Sequence, residues 1–220
     1  HKAVVNARHG PSPWIVVGVV VVVLFAGAVG FGIYRAHQAA AIVVPPNATA
    51  TGVPIGKSDA PATIDIYLDF QCPVCRAYEQ AAGPTVDQLV AAGAARVIYH
   101  PVAYLDRSSS TRYSSRSSAA SACAAAAGVF VPYLKLLYAN QPPENGDGLP
   151  EQTLIDLGHQ AGAQGDFATC VSDNTYARWT AAVTDAASRQ NVTGTPPVLV
   201  NGKQIGNTAD ALRAAVPEAG

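Results

Sequence analysis

From Trp14 to Ile33 no residue carries a charge, and the run WIVVGVVVVVLFAGAVGFGI is apolar throughout. Roughly 20 such residues cross the hydrocarbon of a bilayer as a helix. Trp14 and Tyr34 stand at the two ends, where interfacial aromatic anchors sit. The pattern predicts a transmembrane helix over 14–34. A cleaved signal peptide is the alternative, with Ala26-Gly27-Ala28 imitating a cleavage site, but the run is longer than a usual signal h-region. Lys2 and Arg8 before the span, against Arg35 after it, give a slight bias toward a cytoplasmic segment 1–13.

Beyond the span the pattern changes twice. Residues 35–53 are rich in Ala, Pro and Thr, include Pro45-Pro46, and read as a flexible linker. From residue 54 to 220 the chain carries the alternations of a folded domain. Ile64, Ile66, Leu68 and Phe70 fall on one face, with Asp65, Tyr67 and Asp69 on the other, which is strand periodicity. A helix to about Ala92 follows, with a bend expected at Gly83-Pro84. Residues 96–103 (RVIYHPVA) read as a second strand, so the unit implies a parallel pair joined by a right-handed crossover. Residues 108–118 are serine-rich and read as a loop leading into a helix. Residues 119–140, 152–162 and 166–190 read as helices, giving a helical insert over about 108–190. Sheet character returns at Pro197–Val200, turns at Asn201-Gly202, and ends in a short helix over 210–216.

The candidate chemistry sits at the first strand-to-helix junction, Cys72-Pro73-Val74-Cys75. Two cysteines three apart share one side of a helical turn, close enough to open and close a disulfide. Cys72 would lie at the helix N-terminus, where unpaired N–H groups and the helix dipole favour a thiolate. Pro73 suits the first helical position, where a missing N–H costs nothing. Structural zinc needs four ligands. Cys123 and Cys170 are single and far apart, and the five histidines form no close pair, so no metal site is expected. A net charge of −1 gives no electrostatic case for nucleic acid. An even count of four cysteines fits an oxidising compartment. The chain has 220 residues, enough for one domain with appendages, and with no methionine it is expected to start downstream of its natural N-terminus.

Three motifs in this order carry a family resemblance. Gly56, Asp59-Ala60-Pro61 and Thr63-Ile64 resemble the lead-in to a first core strand. Asp69-Phe70-Gln71-Cys72-Pro73-Val74-Cys75 resembles an active-site segment. Val192-Thr193-Gly194-Thr195-Pro196 resembles a loop bearing a cis-proline. Residues 53–220 thus resemble the thioredoxin superfamily, and within it the DsbA-like group with a helical insert. The resemblance implies an α/β thioredoxin fold and a protein disulfide oxidoreductase. Cys72 would be its exposed nucleophile, Cys75 its buried resolving cysteine, and Pro73 and Val74 the active-site dipeptide. Pro196 would be the cis-proline, and Thr195 would offer its backbone to an extended substrate peptide.

Two positions depart from the pattern. Many relatives place a buried acid six residues before the first cysteine, where this chain has Ile66. A regular strand would turn Asp65 and Asp69 to the opposite face. The strongest oxidases often carry a histidine where this chain has Val74, so a less extreme oxidant is expected. Cys123 and Cys170 fall in the first and last insert helices. A bond between them would close a loop of about 48 residues, stabilising by up to roughly 4 kcal/mol. A second redox pair and two buried thiols are the alternatives. Neither cysteine has a CxxC neighbour or an activating charge, which favours the staple. His100, His159, Tyr104 and Trp179 read as packing or rim residues.

The function expected from these readings is extracytoplasmic introduction of disulfides into reduced, unfolded secreted or cell-envelope proteins. No cofactor is needed. The resemblance implies re-oxidation by a membrane quinone reductase of the DsbB or VKOR kind. No dimerisation domain is visible, so a monomer is expected. A tethered reductase or isomerase, for example one serving cytochrome c assembly, and a peptide-binding chaperone with structural cysteines are the alternative functions.

Overall fold

The structure is a computed structural model that describes residues 13–38, 42–192, 194 and 196–216. The chain divides into two units, residues 1–41 and 42–220. In the first, helix α1 (Pro13–Gln38) contains a stretch, Pro13–Gly32, with mean hydropathy 2.8 and no buried residue. This helix is long and apolar enough to cross a membrane.

The second unit is an α/β domain around a five-stranded sheet of order β1-β3-β2-β4-β5. Strands β2 (Ala62–Leu68) and β3 (Ala95–Pro101) run parallel at its centre, joined by α2 (Pro73–Ala91). β1 (Val53–Ile55) adds antiparallel to β3. The hairpin of β4 (Val198–Val200) and β5 (Lys203–Ile205) adds antiparallel to β2, and α8 (Ala209–Ala215) closes the chain. β2 forms where the alternation places it, with Ile64 and Ile66 0% and 1% exposed. Pro84 lies inside α2, where the helix runs on without a break.

The insert contains α3 (Tyr113–Ala126), α4 (Phe130–Ala139), α5 (Glu151–Gln160), α6 (Phe167–Ser172) and α7 (Ala177–Arg189). All four of the others pack against α3, and its small Ala and Ser side chains allow that close approach. The serine-rich segment is therefore mostly helix rather than loop. Its hydroxyls stay paired in the interior: Ser117 donates to the Tyr113 carbonyl at 2.7 Å and Ser118 to the Pro101 carbonyl at 2.8 Å. The expected helix over 119–140 is two helices, separated at Gly128 with φ 75°. The one expected over 166–190 is likewise split, at Asn174 with φ 50°. Cys123 of α3 and Cys170 of α6 are joined in a disulfide.

Of the residues read as packing, Trp179 is fully buried and donates its indole N–H to the Thr49 carbonyl at 2.8 Å. His100 is buried too. Its Nδ1 lies 2.7 Å from the Thr51 carbonyl, its Nε2 2.9 Å from the Asp65 carboxylate, and its ring stacks on Tyr67.

Candidate active site

Helix α2 begins immediately after the bend that leaves β2. Cys72 is its N-cap, in extended conformation (φ −75°, ψ 117°), with no side-chain cap, and Pro73 opens the helix. The helical period then buries Cys75, Tyr78, Ala82 and Val86 along one face and leaves Val74 59% exposed. Cys75 is 1% exposed, as expected of a resolving cysteine. Cys72 is 6% exposed, so the expectation of an openly exposed nucleophile is corrected. The insert lies against the backbone of segment 69–72. The Tyr138 hydroxyl donates to the Asp69 carbonyl at 3.3 Å, and Gln141 Nε2 donates to the Phe70 and Cys72 carbonyls at 2.9 and 3.0 Å.

Asp69 is likewise not where strand alternation would put it. β2 ends at Leu68, its burial alternation lapses already at Tyr67, and Asp69 is 0% exposed. It accepts the Gln71 N–H at 2.9 Å, the Leu105 N–H at 2.9 Å and the Ser114 hydroxyl at 2.7 Å. Burial pushes the carboxyl up to about 6, against the pull of those three donors, and negative charge on Cys72 adds to the rise. A second carboxyl was not anticipated. Glu79 lies four residues past Cys75, one turn further along α2, and burial lifts it to about 7. With Tyr138 and Lys135 it lines a pocket of about 250 Å³ between α2 and α4. Four-residue spacing from Cys75 was the one sequence signal that could have marked it.

On the other side, β4 brings Pro197 to the end of β2, where the Tyr67 N–H donates to the Pro197 carbonyl at 3.2 Å. Pro196 is buried, and it shares with Val74 a groove of about 380 Å³. Gln190, Asn191, Gln204 and Asn207 line it together with Val192 and Leu199, and among the described residues no charged side chain does. Thr195 lies outside the described residues. Among the described residues no cluster of His, Cys, Asp and Glu could hold a metal.

A sequence model of the thioredoxin family matches residues 48–218. The chain belongs to the thioredoxin family. Its resemblances among solved structures are to disulfide oxidoreductases. The disulfide bond oxidoreductase DsbG of Mycobacterium tuberculosis is 35% identical, with 74% of this chain and 84% of that one covered and a TM-score of 0.66. DsbA of the same organism is 34% identical over 71% of this chain and 85% of its own, with a TM-score of 0.63. BdbD of Bacillus subtilis, at 21% identity and a TM-score of 0.65 over 79% of this chain and 94% of that one, shares the fold. A 127-residue stretch is also 34% identical to the serine/threonine-protein kinase PknE of M. tuberculosis, covering 55% of this chain and 22% of that protein. The domain thus has the architecture of the thiol–disulfide oxidoreductases.

Proposed function

We propose that this thioredoxin-family chain is a membrane-tethered, extracytoplasmic oxidoreductase that donates the Cys72–Cys75 disulfide to reduced secreted or cell-envelope proteins. The observation that carries the reading is the CPVC at the head of α2, with Val74 and Pro196 on one groove. A substrate thiolate attacks Cys72 Sγ, forming a mixed disulfide and releasing Cys75 as a thiolate, which takes a proton. A second substrate thiolate attacks the substrate sulfur and expels Cys72. The substrate loses two electrons and the cysteine pair gains them. The helix N-terminus favours the leaving thiolate. Thr195 and Pro196 would hold the extended peptide. Helix α1 would anchor the domain near a quinone-linked membrane oxidant of the DsbB or VKOR kind, and the cycle needs no bound cofactor.

The opposite flow has one observation in its favour. Asp69, when ionised, sets a negative charge against a Cys72 thiolate, and Val74 offers no compensating donor. The test is the reduction potential of Cys72–Cys75 in the chain held in detergent micelles, with exchange activity measured in parallel. A value near the roughly −120 mV of strong oxidants supports donation, and one near the roughly −270 mV of thioredoxin makes the protein a reductase. Cys72→Ser should abolish exchange. If exchange survives that change, the assignment of the nucleophile fails.

A further inference from the structure

The backbone between β2 and α2 must find hydrogen-bond partners outside the sheet. β2 ends at Leu68, and Asp69, Phe70, Gln71 and Cys72 are all buried, so their carbonyls are cut off from both ladder and bulk water. The Asp69 carbonyl takes the Cys72 N–H at 3.0 Å and the Tyr138 hydroxyl. The Phe70 and Cys72 carbonyls converge on one side chain, Gln141, which follows the C-cap residue of α4. An amide nitrogen has two hydrogens, and here each has its own carbonyl, one on either side of Gln71. The Cys72 carbonyl is also the first acceptor of α2, taking the Arg76 N–H at 3.2 Å. With no side-chain cap at Cys72, the first turn lacks one usual means of fixing its start.

We infer that Gln141 is a positioning residue for the thiol exchange: its carboxamide spans the Phe70 and Cys72 carbonyls and fixes the backbone from which the Cys72 sulfur projects. The insert thereby acts on the chemistry from 69 residues away in sequence. The bridge sets the N-cap conformation that aims the helix N–H groups at the sulfur. It also draws negative charge away from the Cys72 carbonyl, which would otherwise oppose a thiolate on the same residue. The inference rests on Cys72 being the nucleophile.

The experiment uses the reduced chain in detergent micelles, as wild type, Gln141→Leu and Gln141→Glu. It reads the pH dependence of Cys72 alkylation by iodoacetamide and then, with the Cys72–Cys75 pair oxidised and recycled by oxidised glutathione, kcat and KM for oxidation of a dithiol peptide. Gln141→Leu removes both donors at nearly constant volume. Its alkylation midpoint should move to higher pH and its kcat fall about tenfold, the worth of one to two hydrogen bonds, with KM little changed. Gln141→Glu keeps one donor while protonated and none when ionised, so its kcat should fall relative to wild type as pH rises. A purely structural glutamine predicts a lower Tm with the alkylation midpoint and kcat of wild type, and that result overturns the inference. Should Gln141→Leu not fold, a Gln141→Glu profile parallel to wild type overturns it. Wild-type chain without exchange activity, or activity retained in Cys72→Ser, is a separate result that removes the parent reading as well.

Discussion

Glu79 carries a carboxyl one helical turn beyond Cys75, folded back over Gly83, where an added Cβ would meet its Oε1 at 2.5 Å. Burial lifts it to about 7. In the unfolded chain it would titrate near 4.3, so between those values the folded protein binds more protons than the unfolded one. Stability from this group therefore falls as pH rises through that window. Glu79→Gln should leave the melting temperature nearly unchanged at pH 4 and raise it at pH 8, by at most ~4 kcal/mol in stability. A melting temperature that shifts equally at both pH values would show that the carboxyl does not titrate between them. Asp69 has the same sign over a lower window, ending near 6. Both acids thus make the reduced helix end more comfortable in mild acid. Neither was legible in the sequence. Asp69 follows an alternating strand and reads as its next outward position, and only the end of β2 at Leu68 turns it inward. Glu79 falls on the buried side of the α2 wheel, four residues past Cys75 and seven before Val86, but an acidic residue in an amphipathic helix reads as surface.

Among elements, α5 and α6 meet where Gly158 lies against the Phe167 ring. A Cβ at Gly158 would come within 1.9 Å of the ring edge, so Gly158→Ala must push the helices apart. The expected loss is about 1–3 kcal/mol, read as a lower urea midpoint with unchanged slope. The parts of the fold that could be read in advance are those whose burial repeats with a period: β2, β3 and α2 with its CPVC. β1 is three residues long and has no room for alternation, so nothing in the sequence marks it as a strand. α3 was read late because serine usually signals a loop, whereas here Ser117 and Ser121 return their hydroxyls to carbonyls of their own helix. Gln141 has no signal at all, since its role exists only when α4 lies beside α2. The groove at Pro196 could be anticipated from its loop, but its uncharged amide lining comes from α7's end and the β4–β5 hairpin together.

For the whole molecule, the Cys123–Cys170 bond holds α3 to α6, and Cys123 is itself buried. Replacing both with alanine should lower stability by up to about 4 kcal/mol, with exchange per folded molecule unchanged. A fall in exchange that exceeds the loss of folded protein would instead mark the pair as a redox relay. The bond also gives the domain two unlike requirements for oxidation. In the proposed cycle the CPVC pair is closed and reopened at every turnover. The Cys123–Cys170 bond instead steadies the insert whose Tyr138 and Gln141 reach the active-site segment. Under the proposed donor role, a freshly made copy gains stability from a disulfide of the kind it donates, and mature copies are among the oxidants that could close it. Supply of the stapled form would then grow with the amount already present, with a lag when the population starts from the fully reduced chain.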